Sequence, residues 1–160
     1  MSAFVQGAIS NQGFKREDPF NYLDSDPEQE TEWINQLGGN IKGGINYNIN
    51  EKHNVFANAG FYSKQPLFDA VFLNYVNLVN EDLTNEKIIG LELGYGFRSS
   101  EFTADVNVYR TSWKDRFLSE SVTVEGDING SANFKGLEQV HSGVEFVANY
   151  RPFHRYFDVY

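Results

Sequence analysis

Hydrophobic and polar residues alternate along most of the chain, and the alternation resumes after each polar interruption. The segment 86–109 (EKIIGLELGYGFRSSEFTADVNVY) shows the pattern twice, on either side of a short polar turn. A period of two residues is typical of β-strands, because successive side chains point to opposite faces of a sheet. The pattern recurs six or seven times along the chain, which predicts an all-β fold, an antiparallel meander of about seven strands.

The connections between the predicted strands alternate between short and long. The short turns are residues 50–53, 98–101 and 152–154. The long polar loops are residues 15–38, 64–85 and 119–135. Short turns at one end of a sheet and long loops at the other are typical of outer-membrane β-barrels. Aromatic residues also cluster beside the short turns, as in the girdle at a membrane interface: Tyr47, Tyr95, Phe97, Phe102, Tyr150 and Phe153.

One face of the predicted strands is apolar and free of charge in mid-strand, while the other holds Asn, Gly, Ser, Thr and an occasional acid. A soluble antiparallel sheet would place Lys and Glu outside, whereas apolar-out and polar-in alternation suits a barrel with a water-filled or plugged lumen. Five residues of segment 86–109 are predicted to face lipid: Ile89, Leu91, Leu93, Val106 and Val108. Four residues are predicted to face the lumen: Glu92, Asp105, Asn107 and Glu145.

Glu92 and Asp105 are expected to lie on the same face of the sheet, diagonally across from each other. Counting outwards from the turn 98–101 places Glu92 opposite Asn107 and Gly94 opposite Asp105. Paired carboxylates serve glycoside hydrolases as general acid and base, but carboxylates that pair with basic residues of a plug are the favoured interpretation. Because no oriented Ser/His pair or strained nucleophile turn accompanies them, the chain is not predicted to be an enzyme.

Composition and charge narrow the possible partners. A formal net charge of −9 without a basic patch argues against a nucleic-acid partner. Much of the acidity lies in residues 17–32, which are predicted to form a solvated loop. The chain has no cysteine, and its histidines (His53, His141 and His154) lack metal-ligand spacing, so neither a metal site nor a cofactor is predicted. No apolar run reaches the roughly 18–20 residues of a transmembrane helix.

Four consecutive segments resemble the barrel of TonB-dependent outer-membrane receptors. They are VFANAGFYSKQP (55–66), LTNEKIIGLELGY (83–95), FTADVNVYRTSWKDRF (102–117) and NFKGLEQVHSGVEFVANYRP (133–152). Their order and spacing match the family, and their richness in Asn and Tyr is similar to members from the Bacteroidota.

The resemblance implies that residues 1–160 are a partial segment of a 22-stranded transmembrane β-barrel. The plug and the TonB box of the family are absent, and both ends are expected to be truncated. The implied function is uptake of a scarce nutrient, such as a siderophore-iron complex, a cobalamin-like cofactor or a glycan, across the Gram-negative outer membrane. The implied partners are outer-membrane lipid, the TonB complex through the missing N-terminal part, and a nutrient ligand at the external loops. Neither the substrate nor a partner lipoprotein follows from the resemblance.

Two other functions stay open at this point. One is a passive porin-like barrel without a plug, and the other is a soluble glycan-binding β-sandwich whose aromatic loops would form a sugar platform.

The loop SKQPLFDAVFLNYVNL (63–78) is the main candidate for ligand contact. Its aromatic residues could stack on a ligand that its acid and amides hydrogen-bond. The predicted ligand-loop residues are Phe68, Asp69, Phe72, Asn74, Tyr75 and Asn77. The alternative is a loop that folds onto its own hydrophobic residues over the barrel mouth.

Overall fold

A computed structural model describes residues 1–74, 76–124 and 128–152 of the chain. Its strands are β1 (Ser2–Phe14), β2 (Ile34–Asn48), β3 (His53–Lys64), β4 (Phe72–Leu73), β5 (Leu78–Val79), β6 (Glu86–Arg98), β7 (Phe102–Val124) and β8 (Ile128–Tyr150). Helix α1 (Phe68–Val71) is a single turn, and a 3₁₀ turn spans Pro27–Gln29. In the described part of the chain, no helix has the length and apolar character needed to cross a membrane.

Six long strands form one antiparallel sheet in the order β1-β2-β3-β6-β7-β8, and β4 and β5 form a separate short pair. The predicted all-β antiparallel meander is therefore confirmed. The last predicted strand, around Phe157 and Val159, lies outside the described residues. A soluble β-sandwich would need a second sheet over the apolar face, and the described residues form no such sheet.

The pairing of β6 with β7 differs from the predicted register by two residues. The structure places three pairs directly opposite: Glu92 and Tyr109, Gly94 and Asn107, and Gly96 and Asp105. The reason is the turn, in which the Ser99 N–H donates to the Phe102 carbonyl at 2.8 Å, so its centre lies one residue later than counted. Because the shift is even, every side chain keeps its predicted face.

The prediction of a long loop at residues 119–135 was wrong. Strands β7 and β8 each run for 23 residues and pair with each other up to Val124 and Ile128. Residues 116–124 and 128–137, called here the hairpin arm, continue past the end of β6 by about 30 Å at roughly 3.3 Å per residue. A bulge at the base of the arm separates it from the sheet, with positive φ at Asp115 (57°) and Gly136 (69°).

The apolar face of the sheet, called the outward face, is not covered by any of the described residues. Ile9 is 89% exposed and Leu93 63% exposed, and most of their large apolar neighbours on this face are similarly open. Buried hydrophobic residues lie instead at the long-loop end, where Phe14 packs with Val71 and Phe72. An apolar surface of this extent is stable only against lipid or another apolar surface.

The opposite, polar face carries aromatic side chains that lie over glycines of the neighbouring strand. Three such pairs are directly opposite: Phe4 and Gly44, Phe56 and Gly94, and Tyr109 and Gly143. At each glycine an added Cβ would come within 3.0 Å of the facing ring or hydroxyl. Aromatic residues that cover glycines in this way stabilise curved sheets and fix their register.

Candidate functional site

Residues 65–85, called the loop cap, fold over the polar face at the long-loop end of the sheet. Val71 and Phe72 are buried against Phe14, with Ile34 and Leu83 at the edge of the cluster. Phe14 and Ile34 are directly opposite each other and share the face of the aromatic–glycine pairs. The cap is therefore positioned where the mouth of a barrel would be.

Side-chain amides fix the cap by binding backbone groups. The buried Asn80 donates from Nδ2 to the Ala70 carbonyl at 2.9 Å and accepts at Oδ1 from the Asp82 N–H at 3.1 Å. Asn77 donates to the carbonyls of Glu28 and Gln29, each at 2.8 Å. Because these carbonyls belong to the first external loop (residues 15–33), the two loops form one unit.

The predicted ligand-loop residues separate into two groups. Phe72 is 1% exposed, and its ring centroid lies 4.8 Å from that of Phe68, so Phe72 packs inside the cap. Phe68 and Asp69 are exposed, and Asn74 is exposed with φ of 57°. Tyr75 lies outside the described residues. Phe72 therefore belongs to the apolar cluster with Phe14 and Val71, while three of the candidates, Phe68, Asp69 and Asn74, are exposed.

The first external loop contains a buried, hydrogen-bonded acid. Asp18 is buried, and its carboxylate accepts from Asn21 Nδ2 at 2.8 Å and from the backbone N–H groups of Phe20 and Asn21. The side-chain hydrogen bond from Asn21 lowers the pKa of Asp18 most, followed by these backbone bonds and the Arg16 guanidinium. Of the other acids in the loop, Glu30 forms an ion pair with Lys15, and Asp26 accepts from the Glu28 N–H at 2.9 Å.

The four residues predicted to face the lumen all lie on the polar face. Glu92 accepts from Asn58 Nδ2 at 3.0 Å, and Asp105 forms an ion pair with Arg98 at 2.8 Å. Asn107 and Glu145 are directly opposite each other, and Asn107 Oδ1 is buried without a hydrogen-bond partner. Within the described ranges, Glu145 has no hydrogen bond or ion pair of its side chain.

A groove of about 530 Å³ runs along the polar face between these residues. Its polar and aromatic lining includes Phe4, Lys42, Asn58, Tyr62, Glu92, Tyr109, Thr111 and Glu145. No ion pair in the described part of the chain involves Lys42, Glu92 or Glu145, so the groove presents one cation and two carboxylates without ion-pair partners, of which Glu92 accepts a hydrogen bond from Asn58. No group of three or more His, Cys, Asp or Glu side chains that could hold a metal occurs among the described residues.

Residues 16–160 match the family model described as TonB dependent receptor-like, beta-barrel. The chain belongs to this family. Its members are outer-membrane β-barrel receptors and transporters rather than enzymes, and they interact with TonB and with ligands. No curated protein and no solved structure matches the chain.

In this receptor segment, sequence patterns did not reveal a charged cluster beneath the cap. Glu86 is 9% exposed and forms ion pairs with Lys64 Nζ at 2.9 Å and Arg116 Nε at 3.8 Å. Both cations also lie near the Trp113 ring, with Lys64 Nζ 5.7 Å and Arg116 Cζ 5.2 Å from its centroid. Since Lys64 and Glu86 are directly opposite in the β3–β6 pair, correct strand pairing would have identified half of the cluster.

The hairpin arm of the receptor segment is tied to the cap by two polar contacts. Lys135 Nζ pairs with Asp82 at 2.8 Å, and Asn133 Nδ2 donates to Asn74 Oδ1 at 3.0 Å. The hydrogen bond and the charge of Lys135 both lower the pKa of Asp82. The first external loop, the cap and the arm are therefore joined into one structure above the sheet.

Proposed function

We propose that the chain forms part of a closed, lipid-embedded barrel that takes up a scarce nutrient across the outer membrane of a Gram-negative bacterium. The observation that carries this proposal is the exposed outward face, together with the match to the receptor family over residues 16–160. Strands β1 and β8 each have an unpaired edge in the described structure. Six strands are too few for a plugged transporter barrel, so further strands would complete it.

The external unit formed by the two loops and the arm is the proposed ligand site. Phe68, Asp69 and Asn74 are exposed on the cap, and Tyr75 follows them in the sequence. We assign these four residues to direct ligand contact, while Phe72 and Asn77 hold the cap in place. A siderophore-iron complex, a cobalamin-like cofactor and a glycan are the candidate cargoes, since each offers surfaces for stacking and for amide hydrogen bonds.

The polar face is the proposed contact surface of a plug. Glu92 and Glu145 are free of ion pairs among the described residues and line the same groove. In a closed barrel they would meet basic side chains of a plug that TonB displaces. Asp105, already paired with Arg98, and Asn107 would support this surface.

The experiment is deletion of the gene in its host, followed by uptake assays with labelled members of the three cargo classes. We expect uptake of one cargo class to fall in the deletion strain and to return when the wild-type gene is restored. In wild-type cells, a protonophore should abolish the same uptake. Phe68→Ala combined with Asp69→Asn should raise the KM for that cargo, because ligand contacts are lost. The matched control is Glu51→Gln, an exposed acid in the short turn at the opposite end of the sheet.

Two results would contradict the proposal. Uptake that is insensitive to the protonophore would favour the passive porin-like barrel. Recovery of the protein from the soluble fraction, without detergent, would remove the membrane location altogether.

A further inference from the structure

Among the described residues of the sheet, one arginine lies on the apolar outward face. Arg110 lies in β7 directly opposite Leu91 of β6 and Ser142 of β8. Its neighbours along the same face of β7 are Val108 and Ser112. The residue is exposed, and within the described ranges no hydrogen bond or ion pair engages its side chain. A guanidinium without a partner on a lipid-facing surface requires an anion or water nearby.

The depth of Arg110 places it near the outer edge of the apolar band. It lies eight residues beyond Phe102, the first residue of β7 after the short turn. For a strand tilted by about 40°, this separation is about 20 Å along the membrane normal, compared with an apolar band of about 25 Å. The long side chain can therefore extend to the headgroup region on the side of the long loops.

Two lysines continue the basic surface beyond the band. Lys87 and Lys114 are directly opposite each other on the outward face, and both side chains are more than half exposed. Lys114 lies four residues beyond Arg110, about 30 Å from the start of the strand by the same reckoning. The three cations thus extend from the edge of the apolar band into the headgroup region.

Two carboxylates partly neutralise this surface. Asp115 lies 2.7 Å from Lys87 Nζ, while Glu138 lies 3.6 Å from Lys114 Nζ and accepts from Ser112 Oγ at 3.1 Å. The Lys114 contact is at the long end of ion pairing, and Arg110 has no carboxylate partner in the described structure. The charge available for an external anion is therefore centred on Arg110 and Lys114.

We propose that Arg110 and Lys114 form a binding site for the phosphate groups of a phosphorylated glycolipid in the outer leaflet of the outer membrane. The guanidinium donates two parallel hydrogen bonds to phosphate oxygens, and the ammonium adds a second positive charge. The exposed side chains of Leu91, Val108 and Val144 beside Arg110 contact the acyl chains of the same lipid. The inference depends on the membrane location proposed above.

The test uses the complete receptor, expressed in its host and extracted from outer membranes in mild detergent. Retained lipid is identified by native mass spectrometry and quantified as phosphorus per protein. The double variant Arg110→Gln with Lys114→Gln should retain several-fold less phosphorylated glycolipid than the wild type, and Arg110→Lys should lose less. Lys52→Gln is the matched control, because Lys52 is an exposed lysine in the short turn at the opposite end of the sheet.

The outcomes separate the site from the membrane location. Equal glycolipid retention by the wild type and the double variant would overturn the site. An equal loss in Lys52→Gln would also overturn it, as would a wild type that retains only phosphoglycerolipid or dephosphorylated glycolipid. Heat-modifiable migration in gels and recovery in the outer-membrane fraction report the location independently of bound lipid, so failure of the proposed function would show there first.

Discussion

Substitution of Gly94 by alanine tests whether the aromatic–glycine pairs of the polar face hold the sheet. The new Cβ would lie 2.2 Å from two carbons of the Phe56 ring and 2.7 Å from Asn107 Oδ1. Non-bonded carbon atoms prefer a separation of about 3.5–4.0 Å, so the ring would have to leave the glycine. Gly90 is the matched control, because it lies on the same face of β6 and its added Cβ would meet only Thr111 Oγ1, at 3.9 Å.

The magnitude follows from overpacking and backbone entropy. Insertion of a methyl group into a filled site costs about 1–3 kcal/mol, which we expect for Gly94→Ala. A glycine-to-alanine change at a site with room usually stabilises by about 0.4–1 kcal/mol through the unfolded state. Gly90→Ala should therefore leave the free energy of unfolding unchanged or raise it slightly.

The assay is equilibrium unfolding of the complete receptor in urea, in lipid–detergent micelles, for both variants. Phe56→Ala, alone and combined with Gly94→Ala, completes a double-mutant cycle. Removal of the Phe56 ring should abolish most of the loss in free energy of unfolding that Gly94→Ala causes. The reasoning is refuted if Gly90→Ala and Gly94→Ala have the same effect, or if the Phe56 and Gly94 substitutions are simply additive.

Three further changes probe the outward face, the cap and the arm. Leu93→Arg should lower the free energy of unfolding in lipid by about 2–4 kcal/mol, because Leu93 lies in the middle of the apolar band. In the same denaturant titration, Val147→Arg on the polar face should lower the free energy of unfolding much less. Asn80→Ala should cost the cap about 1–3 kcal/mol, since a buried backbone carbonyl loses its donor, and should increase amide hydrogen exchange within residues 65–85 while exchange in the sheet stays constant. Because Lys135 lowers the pKa of Asp82, their contact stabilises the arm fully above the ordinary aspartate pKa of about 4, and this stabilisation is lost as pH falls through the lower folded-state pKa. Proteolysis of the arm should therefore increase as pH falls through that range. Asp82→Asn should make the rate of proteolysis independent of pH over the same range.

Alternation along the strands was sufficient to predict the class of fold and the face of each side chain. The predicted β6–β7 register was displaced, yet Glu92 and Asp105 kept their face because a shift of two residues preserves the period. The turn itself could not be located from pattern alone, since Ser99, Ser100 and Glu101 are all acceptable turn residues.

The hairpin arm was not predicted as a pair of strands because its composition obscures the two-residue alternation of apolar and polar side chains. Ser119, Ser121 and Thr123 alternate with Leu118, Glu120 and Val122, and such a polar mixture favours a loop when no partner strand is known. The long register with β8 stabilises it as a strand. In this part of the chain the alternation was traced only over residues 86–109, and for that reason the outward-facing Arg110 escaped the description of an uncharged apolar face.

The roles within the cap depended on packing that no local pattern records. Phe68 and Phe72 are equivalent in sequence, but only Phe72 reaches Phe14 of β1, which lies more than fifty residues away. One aromatic residue is therefore committed to holding the loop, while the other stays exposed. The sequence indicated that both could contact a ligand, but it did not show which of them is buried.

The attachments of the cap indicate which of its residues are free to differ between receptors for different cargoes. Asn77 and Asn80 bind backbone carbonyls, so they are indifferent to the side chains of their partner segments and require only that the backbone be in place. That backbone is fixed in turn by Phe72 in the apolar cluster. Substitution of Phe68 removes its ring contact with Phe72 but leaves the packing of Phe72 on Phe14 and Val71, and Asp69 takes part in none of these contacts. Cargo preference can therefore change at the exposed positions without loss of the loop's fold, which is what a common scaffold for several nutrients requires.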